Sequence, residues 1–409
     1  MTGQILIAGG GEAGLSIATT LREAGYDGGI CIVTDEGVAP YQRPPLSKEM
    51  LHGTDELPDV QLRAPEFFQD NNIELLVGRS IESVAMHDNG GTAVLDNGAE
   101  ITFDRLAVAT GSTPMQLPVP GADLDGVVSL RTLDDAVRLR DLLDHAQRLV
   151  VVGGGFIGLE VAATARLRGL EVTVVQNTDR LMSRVVAEPV SAFIHTQHRA
   201  AGIDVVLNTS VTGFTGVDGR VTSTELSDGR SLPSDLVVVG VGARPVTALA
   251  QQIGLSCDGG IIVDAHAQTS HPAVVAAGDC TVQPHPNALD QLIPIESVNN
   301  ATEQGKTAAH TLMGSPPHVR GVPWFWSNQG ATKIQIAGIS DGYDDVVVRA
   351  DGLDRLTALY YREGRLIAAD SVNNPRDHMA VKRALAADKS IDPTRAGDPS
   401  VPLKTLITE

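Results

Sequence analysis

Apolar residues in this chain fall in short runs that stop at glycine, and several runs are followed by a stretch with helical spacing. ILIAGG (5–10) predicts a strand, Ala13–Ala24 a helix and GICIVTD (29–35) a second strand, a βαβ unit. The plan repeats in RLVVVGG (148–154), a helix over Phe156–Arg168 and EVTVVQ (171–176). Each half closes alike: RLAVATGS (105–112) and DLVVVGVGARP (235–245) are apolar strands running into a glycine turn. VAPYQRPPLSK (38–48) carries too many prolines for helix or central strand. VVAAGD (274–279) predicts a short strand, and SVNNATEQGKTAAHTLMG (297–314) a helix capped by Ser297 and stopped by glycine. From about Val322 the character changes: PWFWS, KIQIAGI, DVVVRA, LTALYYRE and RLIAADSV predict antiparallel strands. A helix near His378–Ala387 and a polar tail follow. The chain therefore reads as α/β, with two Rossmann-like dinucleotide-binding halves and a C-terminal α+β domain.

The repeated turn carries the chemistry. Gly9, Gly11 and Gly14, and again Gly153, Gly155 and Gly158, are spaced G-x-G-x-x-G between a strand and a helix. The free N–H groups and positive dipole end of such a helix favour a pyrophosphate. A side chain at the glycines would block the phosphate and the helix–strand packing. An acid some 20 residues on, to take the ribose hydroxyls, completes the pattern. The first half supplies Asp35, with Glu36 beside it; the second ends on Gln176. A carboxamide can accept one hydroxyl and donate to the other. Two dinucleotides in one chain suggest a relay between a bound redox carrier and a soluble nicotinamide.

Charge and cysteine content narrow the classes. A net charge of −19 over 409 residues argues against a nucleic-acid-binding surface. The longest apolar stretches contain glycine and Glu160, short of a membrane span, and the start has no basic leader, so a cytoplasmic protein is expected. Cys31, Cys257 and Cys280 form no C-x-x-C, which disfavours a zinc site or a disulfide reductase; no metal is expected.

PYQRPPLSK (40–48), ATGSTP (109–114), LRTLDDA (130–136), GGGFIGLEVAATA (153–165), GVGARP (240–245), AAGDC (276–280), IESVNNATEQGK (295–306) and PWFWSNQ (323–329) occur in that order. This ordered set resembles the FAD-dependent NADH:ferredoxin reductases that feed cytochrome monooxygenases and ring-hydroxylating dioxygenases, and the likeness runs nearly end to end. It implies a glutathione-reductase-like fold: an FAD domain over 1–113 and 247–321, an NAD domain over 114–246 and a C-terminal domain over 322–409 that covers the flavin. It implies FAD on the first turn and NADH on the second. Asp279 then meets the ribityl chain, and Ala13, Lys48, Ile81, Arg131 and Val298 match the family's other FAD contacts. Ala109, Thr110, Gly111, Arg43, Glu296 and Trp326 join the cofactor set, with Ile157 and Gly242 on the NAD side. A two-iron ferredoxin, usually acidic, would be the partner of a monomer or weak homodimer. Lys306 and Lys404 are docking candidates.

Two residues stand out on their own chemistry. Lys48 sits on a proline-stiffened loop, where a cation could stabilise developing negative charge. Glu160 lies in an apolar helical run, where a carboxylate is costly unless paired. In the family the matching glutamate meets the loop lysine, so a Lys48–Glu160 pair is expected at the isoalloxazine. The expected reaction passes hydride from NADH to FAD and then single electrons to the ferredoxin. A reductase of the same fold serving rubredoxin, quinone or dioxygen, and a nucleotide-sensing protein without turnover, are the alternatives. The resemblance has gaps: Ile295 stands where the family has arginine, Asn328 where it has aspartate, and Gly330 where an aromatic is usual.

Overall fold

The computed structural model describes residues 3–52 and 59–408, the side chains at 289 and 290 apart. By internal packing the chain divides into two units. One comprises Met1–Gln42, Asp59–Thr113 and Ala243–Gly321; the other comprises Arg43–Pro58, Pro114–Gly242 and Val322–Glu409.

The first unit holds a five-stranded parallel sheet in the order Val274–Ala276, Arg105–Val108, Gln4–Ala8, Gly29–Thr34, Ile73–Val77. Its strands are apolar without alternation because both faces are covered. Ile5 and Ile7 pack with Ile17 and Leu21 on one side, and Leu6 and Ala8 with Val33 and Leu106 on the other. The helix Glu12–Glu23 packs on Val298–Met313 closely enough that a Cβ at Gly305 would stand 2.8 Å from the Ala13 carbonyl oxygen. Three antiparallel strands, Ile81–His87, Gly90–Leu95 and Glu100–Phe103, were not read from the sequence, although Asn89-Gly90 and Asn97-Gly98 are hairpin signals.

The second unit repeats the parallel design in the order Asp204–Val206, Glu171–Val175, Arg148–Val152, Leu236–Val239, Val127–Val128. It adds the antiparallel sheet Trp324–Gln329, Thr332–Gly338, Arg365–Val372, Arg355–Arg362, Asp345–Asp351. The two sheets share a core in which Leu159, Val161 and Val190 join Ile334, Tyr360 and Val372. Two of its long helices are not predicted from the sequence pattern. Leu133–His145 opens on a capping box of Thr132 and Asp135, and Glu188–Ala200 has Pro189 in its first turn.

Two expectations need correction here. The helix expected from His378 begins at Pro375, because Asn374 caps it and proline suits the first helical position. The tail is not merely polar. Ile391, Ala396, Leu403 and Leu406 are buried, Ser390–Ile391 pairs with Ile407–Thr408, and the buried Arg349 guanidinium donates to the carbonyls of Ala396 and Val401, each at 3.0 Å. No helix among the described residues is long and apolar enough to cross a membrane.

Candidate functional site

The two glycine turns have the same internal geometry, and it separates packing from binding. Gly9 and Gly153 have φ of +118° and +106°, in the left-handed region, and a Cβ on either would meet a carbonyl oxygen at 2.1 Å (Ala109) or 2.3 Å (Gly240). A Cβ on Gly14 or Gly158 would stand 2.0 or 2.4 Å from the carbonyl oxygen of the first glycine in its own turn. These four glycines are required by the fold. The middle ones, Gly11 and Gly155, are not: a Cβ there meets no atom within 4 Å. Each caps its helix in extended backbone with no side-chain bond to the free N–H groups. Open space in front of unpaired N–H donors is what a pyrophosphate fills, so both cradles fit a dinucleotide.

The second turn delivers the helix Phe156–Leu167, and one stripe of that helix builds the buried polar centre of its unit. Glu160, Thr164 and Arg168 are four residues apart and share a face. All three hold the segment that follows Arg43. Lys48 Nζ donates to Glu160 Oε2 at 2.7 Å, and the Ser47 hydroxyl donates to the same oxygen at 2.5 Å; Thr164 Oγ1 donates to the Ser47 carbonyl at 3.2 Å, and Arg168 to the Leu51 carbonyl at 2.9 Å. This is why residues 43–52 group with the second unit. The Lys48 and Glu160 side chains are 10% and 2% exposed, so the ion pair is cut off from water. Ser327 Oγ donates to the other carboxylate oxygen at 2.7 Å, and Lys48 also donates to the Pro44 carbonyl at 2.8 Å. Carboxylate and ammonium each have several partners, the condition under which a buried pair is tolerated. The pair inferred from resemblance is thus present. Ser47 and Ser327 were missed; the polar stripe 160-164-168 in an apolar helix was the signal that could have led to them.

The remaining predicted residues fall as follows. In the first unit, Thr110 Oγ1 donates to the Val246 carbonyl at 2.7 Å and Val246 N–H to the Gly111 carbonyl at 2.9 Å, so the ATGS turn is braced. Ala109 is buried beside Gly9. Ser112 Oγ donates to Asp279 Oδ2 at 3.4 Å. Ala13 lies in the first turn of its helix. Asp35 is exposed just past its strand. Ile81 opens the antiparallel sheet, and Glu296 and Val298 flank Ser297, which caps its helix by accepting from Asn300 N–H at 3.0 Å. In the second unit, Arg43 donates to the Arg131 carbonyl at 2.7 Å, and Ile157 is 46% exposed at the turn. Gly242, at φ +120°, accepts from Met115 N–H at 2.9 Å. Trp326 and Trp324 stack at 5.3 Å on the same face of their strand, both half-buried, with Lys382 Nζ 4.5 Å from the Trp324 ring. Neither is a core anchor. Phe325, also half-buried and on the opposite face, packs against Phe156 at 4.6 Å.

Gln176 is held by hydrogen bonds within its own unit. Its carbonyl accepts from Gly154 N–H at 2.7 Å, and its amide donates to Thr178 Oγ1 at 2.6 Å. The carbonyl end braces the glycine turn, and the amide end ties it to the segment that follows the strand. Of the docking candidates, Lys306 is paired with Glu303 at 2.9 Å, while Lys404 is exposed.

Comparison with known proteins matches this geometry. Residues 3–305 match the pyridine nucleotide-disulphide oxidoreductase family, and residues 324–407 a reductase C-terminal domain. The chain belongs to the pyridine nucleotide-disulphide oxidoreductase family. Within it, the resemblance is to ferredoxin reductases of oxygenase systems. The chain is 40% identical to rhodocoxin reductase of Rhodococcus erythropolis over 98% of this chain and 94% of that one. It is 39% identical to putidaredoxin reductase of Pseudomonas putida, over 98% and 96%. The crystal structure of the ferredoxin reductase for the CYP199A2 system of Rhodopseudomonas palustris superposes with a TM-score of 0.94 at 41% identity, over 99% of this chain and 100% of that one. The disulphide chemistry in the family's description has no counterpart here. All three cysteines are free, and burial pushes the Cys31 and Cys280 thiols up to about 12 and 11, so both stay protonated.

Proposed function

We propose that the first glycine turn binds FAD, that the second binds NADH, and that the Lys48–Glu160 pair is where hydride transfer is tuned. The activity is that of an FAD-dependent NAD(P)H:ferredoxin oxidoreductase whose electrons serve an oxygenase. FAD, when bound, supplies a hydride acceptor that can give up its two electrons singly. The protein's residues bind and orient. Gly11 and Gly155 leave room for the pyrophosphates. Asp35 receives the FAD ribose. Thr110, Gly111, Asp279, Ile81, Arg43, Arg131, Glu296, Val298 and Trp326 complete the FAD set. Ile157, Gln176 and Gly242 serve the nicotinamide nucleotide. Lys48 places a fixed positive charge, and Glu160 holds it in position and excludes bulk water from it.

The observation that carries this reading is the sealed Lys48–Glu160 pair on the helix leaving the second turn. In a dinucleotide-binding protein without turnover the pair would serve only to hold the segment after Arg43 on that helix. The partner is a ferredoxin; we take it to be acidic and docked through a local cationic patch that includes Lys404. The domain limits follow the resemblance, with the protein cytoplasmic and a monomer or weak homodimer. The test is an anaerobic titration of the purified yellow protein with NADH, followed by a two-iron ferredoxin at low and moderate salt. Bleaching by NADH and salt-sensitive ferredoxin reduction are expected, and Lys404→Glu should raise the KM for ferredoxin alone. No bleaching removes the enzymatic reading. Bleaching with transfer only to rubredoxin, quinone or dioxygen removes the ferredoxin.

A further inference from the structure

The buried ion pair is the end of a longer chain of hydrogen bonds, and that chain has a direction. His198, on the helix Glu188–Ala200, places Nε2 2.8 Å from Gln329 Oε1. Gln329 Nε2 donates to Ser327 Oγ at 3.2 Å and touches Met182 Sδ at 4.0 Å. Ser327 Oγ donates its one proton to Glu160 Oε1 at 2.7 Å. Ser327 and Gln329 point the same way as Phe325 because residues two apart share a strand face. His198, Gln329, Ser327 and Glu160 are 3, 3, 0 and 2% exposed, so no solvent competes for these bonds.

We infer that His198 is a positioning residue for the Lys48–Glu160 pair: through Gln329 and Ser327 it fixes the direction from which a hydrogen bond reaches the Glu160 carboxylate. The inference rests on the proposed reading of that pair. Its logic is donor counting. A serine hydroxyl has one proton, so it donates to Glu160 only while it accepts from Gln329. Gln329 presents its amide to Ser327 only while its carbonyl faces His198, and that requires a proton on His198 Nε2. With the proton on Nδ1 alone, Gln329 would turn over, the Ser327 proton would swing to the Gln329 carbonyl, and Glu160 would lose a donor. The chain cannot carry protons, because a carboxamide nitrogen has no acidic or basic site to relay one. It carries orientation. Burial, partly offset by the Gln329 bond, lowers the pKa of His198, which suits a neutral imidazole whose tautomer sets the direction. Apolar residues could fill the same space, but they would leave the Ser327 proton undirected.

The test uses the FAD-loaded full chain. Nitrogen-15 NMR of histidine-labelled protein should show a neutral His198 with its proton on Nε2; an Nδ1 tautomer overturns the inference. Stopped-flow reduction by saturating NADH should slow about tenfold, or about 1.4 kcal/mol, in Ser327→Ala, in Gln329→Glu and in His198→Leu. His198→Gln, which restores an N–H donor, should recover most of the rate. The double variant His198→Leu/Ser327→Ala should be no slower than either single one, since all act on one bond. Additive slowing, or unchanged rates in His198→Leu and Gln329→Glu while Glu160→Gln is slow, refutes the chain. If Glu160→Gln is itself silent, the reading of the pair falls and this inference with it. Should His198→Leu fail to fold, the nearly isosteric Gln329→Glu and the tautomer measurement still decide.

Discussion

Replacing Lys48 by methionine keeps the length of the side chain and removes its charge. Glu160 would then be a buried carboxylate with Ser47 and Ser327 as its donors among the described residues. Breaking one side of a buried pair costs about 3–5 kcal/mol of stability. The effect on hydride transfer is smaller, because the ammonium acts with a counter-charge 2.7 Å away. An isolated unit charge at 4 Å in a medium of effective dielectric near 20 is worth about 4 kcal/mol. Partial cancellation by Glu160 leaves roughly 1.5–3 kcal/mol, a slowing of about 10- to 150-fold. Stopped-flow absorbance at saturating NADH measures that step, and FAD content checks that the cofactor stays bound. Glu160→Ala should mainly weaken nicotinamide positioning, and so slow flavin reduction even at saturating NADH. The double variant Lys48→Met/Glu160→Gln, with no buried charge, should regain most of the stability and none of the rate. That split is the decisive result, since a purely structural pair would recover both. Unchanged flavin reduction in both single variants refutes the assignment.

The other expectations can be checked singly. Gly155→Ala should keep the melting temperature and weaken NADH binding, because its Cβ meets no protein atom, whereas Gly153→Ala should destabilise the fold, with φ at +106° and a carbonyl 2.3 Å away; equal stability losses by calorimetry would count against the distinction. Gln176→Glu keeps an acceptor for Gly154 N–H and adds a charge that repels a 2′-phosphate, so the NADH/NADPH ratio of kcat/KM should widen; a ratio that stays put, or a wild type preferring NADPH, rejects it. Burial raises Asp370 from 3.8 to about 7, so the folded state holds its proton more tightly than the unfolded one. Its contribution is full below 3.8 and is lost as pH rises to about 7. Asp370→Asn should therefore gain on wild type between pH 4 and 7, by at least the ~2–4 °C that about 1 kcal/mol moves in a domain of this size, and hold that lead above; a lead that is largest in acid would contradict the sign.

Local signals carried most of what could be read in advance. The six turn glycines, the strands around them and the cap at Ser297 are all set by residues within a few positions of one another. The unread parts depend on partners far away in sequence. Nothing in PPLSK says that Ser47 and Lys48 will lie on the helix of the second turn, because that contact is made by Glu160, Thr164 and Arg168 more than 100 residues on. Gln176 is legible as a ribose ligand from its position, whereas its hydrogen bonds to Gly154 and Thr178 depend on how the turn folds. The Lys48–Glu160 pair is legible through resemblance; its serine donors, and the chain to His198, are set by residues brought together from distant parts of the sequence.

The Glu160 carboxylate also has a schedule. Its serine partners lie 113 residues before it and 167 residues after it. A ribosome adding 5–20 residues per second would deliver Ser327 about 8–33 s after Glu160. During that interval Glu160 can already meet Lys48 and Ser47, but its other carboxylate oxygen faces a core not yet synthesised. The parallel sheet beside it assembles with that oxygen hydrated, and the water is shed when the strand Trp324–Gln329 arrives. Vectorial synthesis thus makes the seal over the Lys48–Glu160 pair one of the last features of its unit to close, and a nascent chain stalled before residue 324 would carry both glycine turns with one oxygen of its acid still wet.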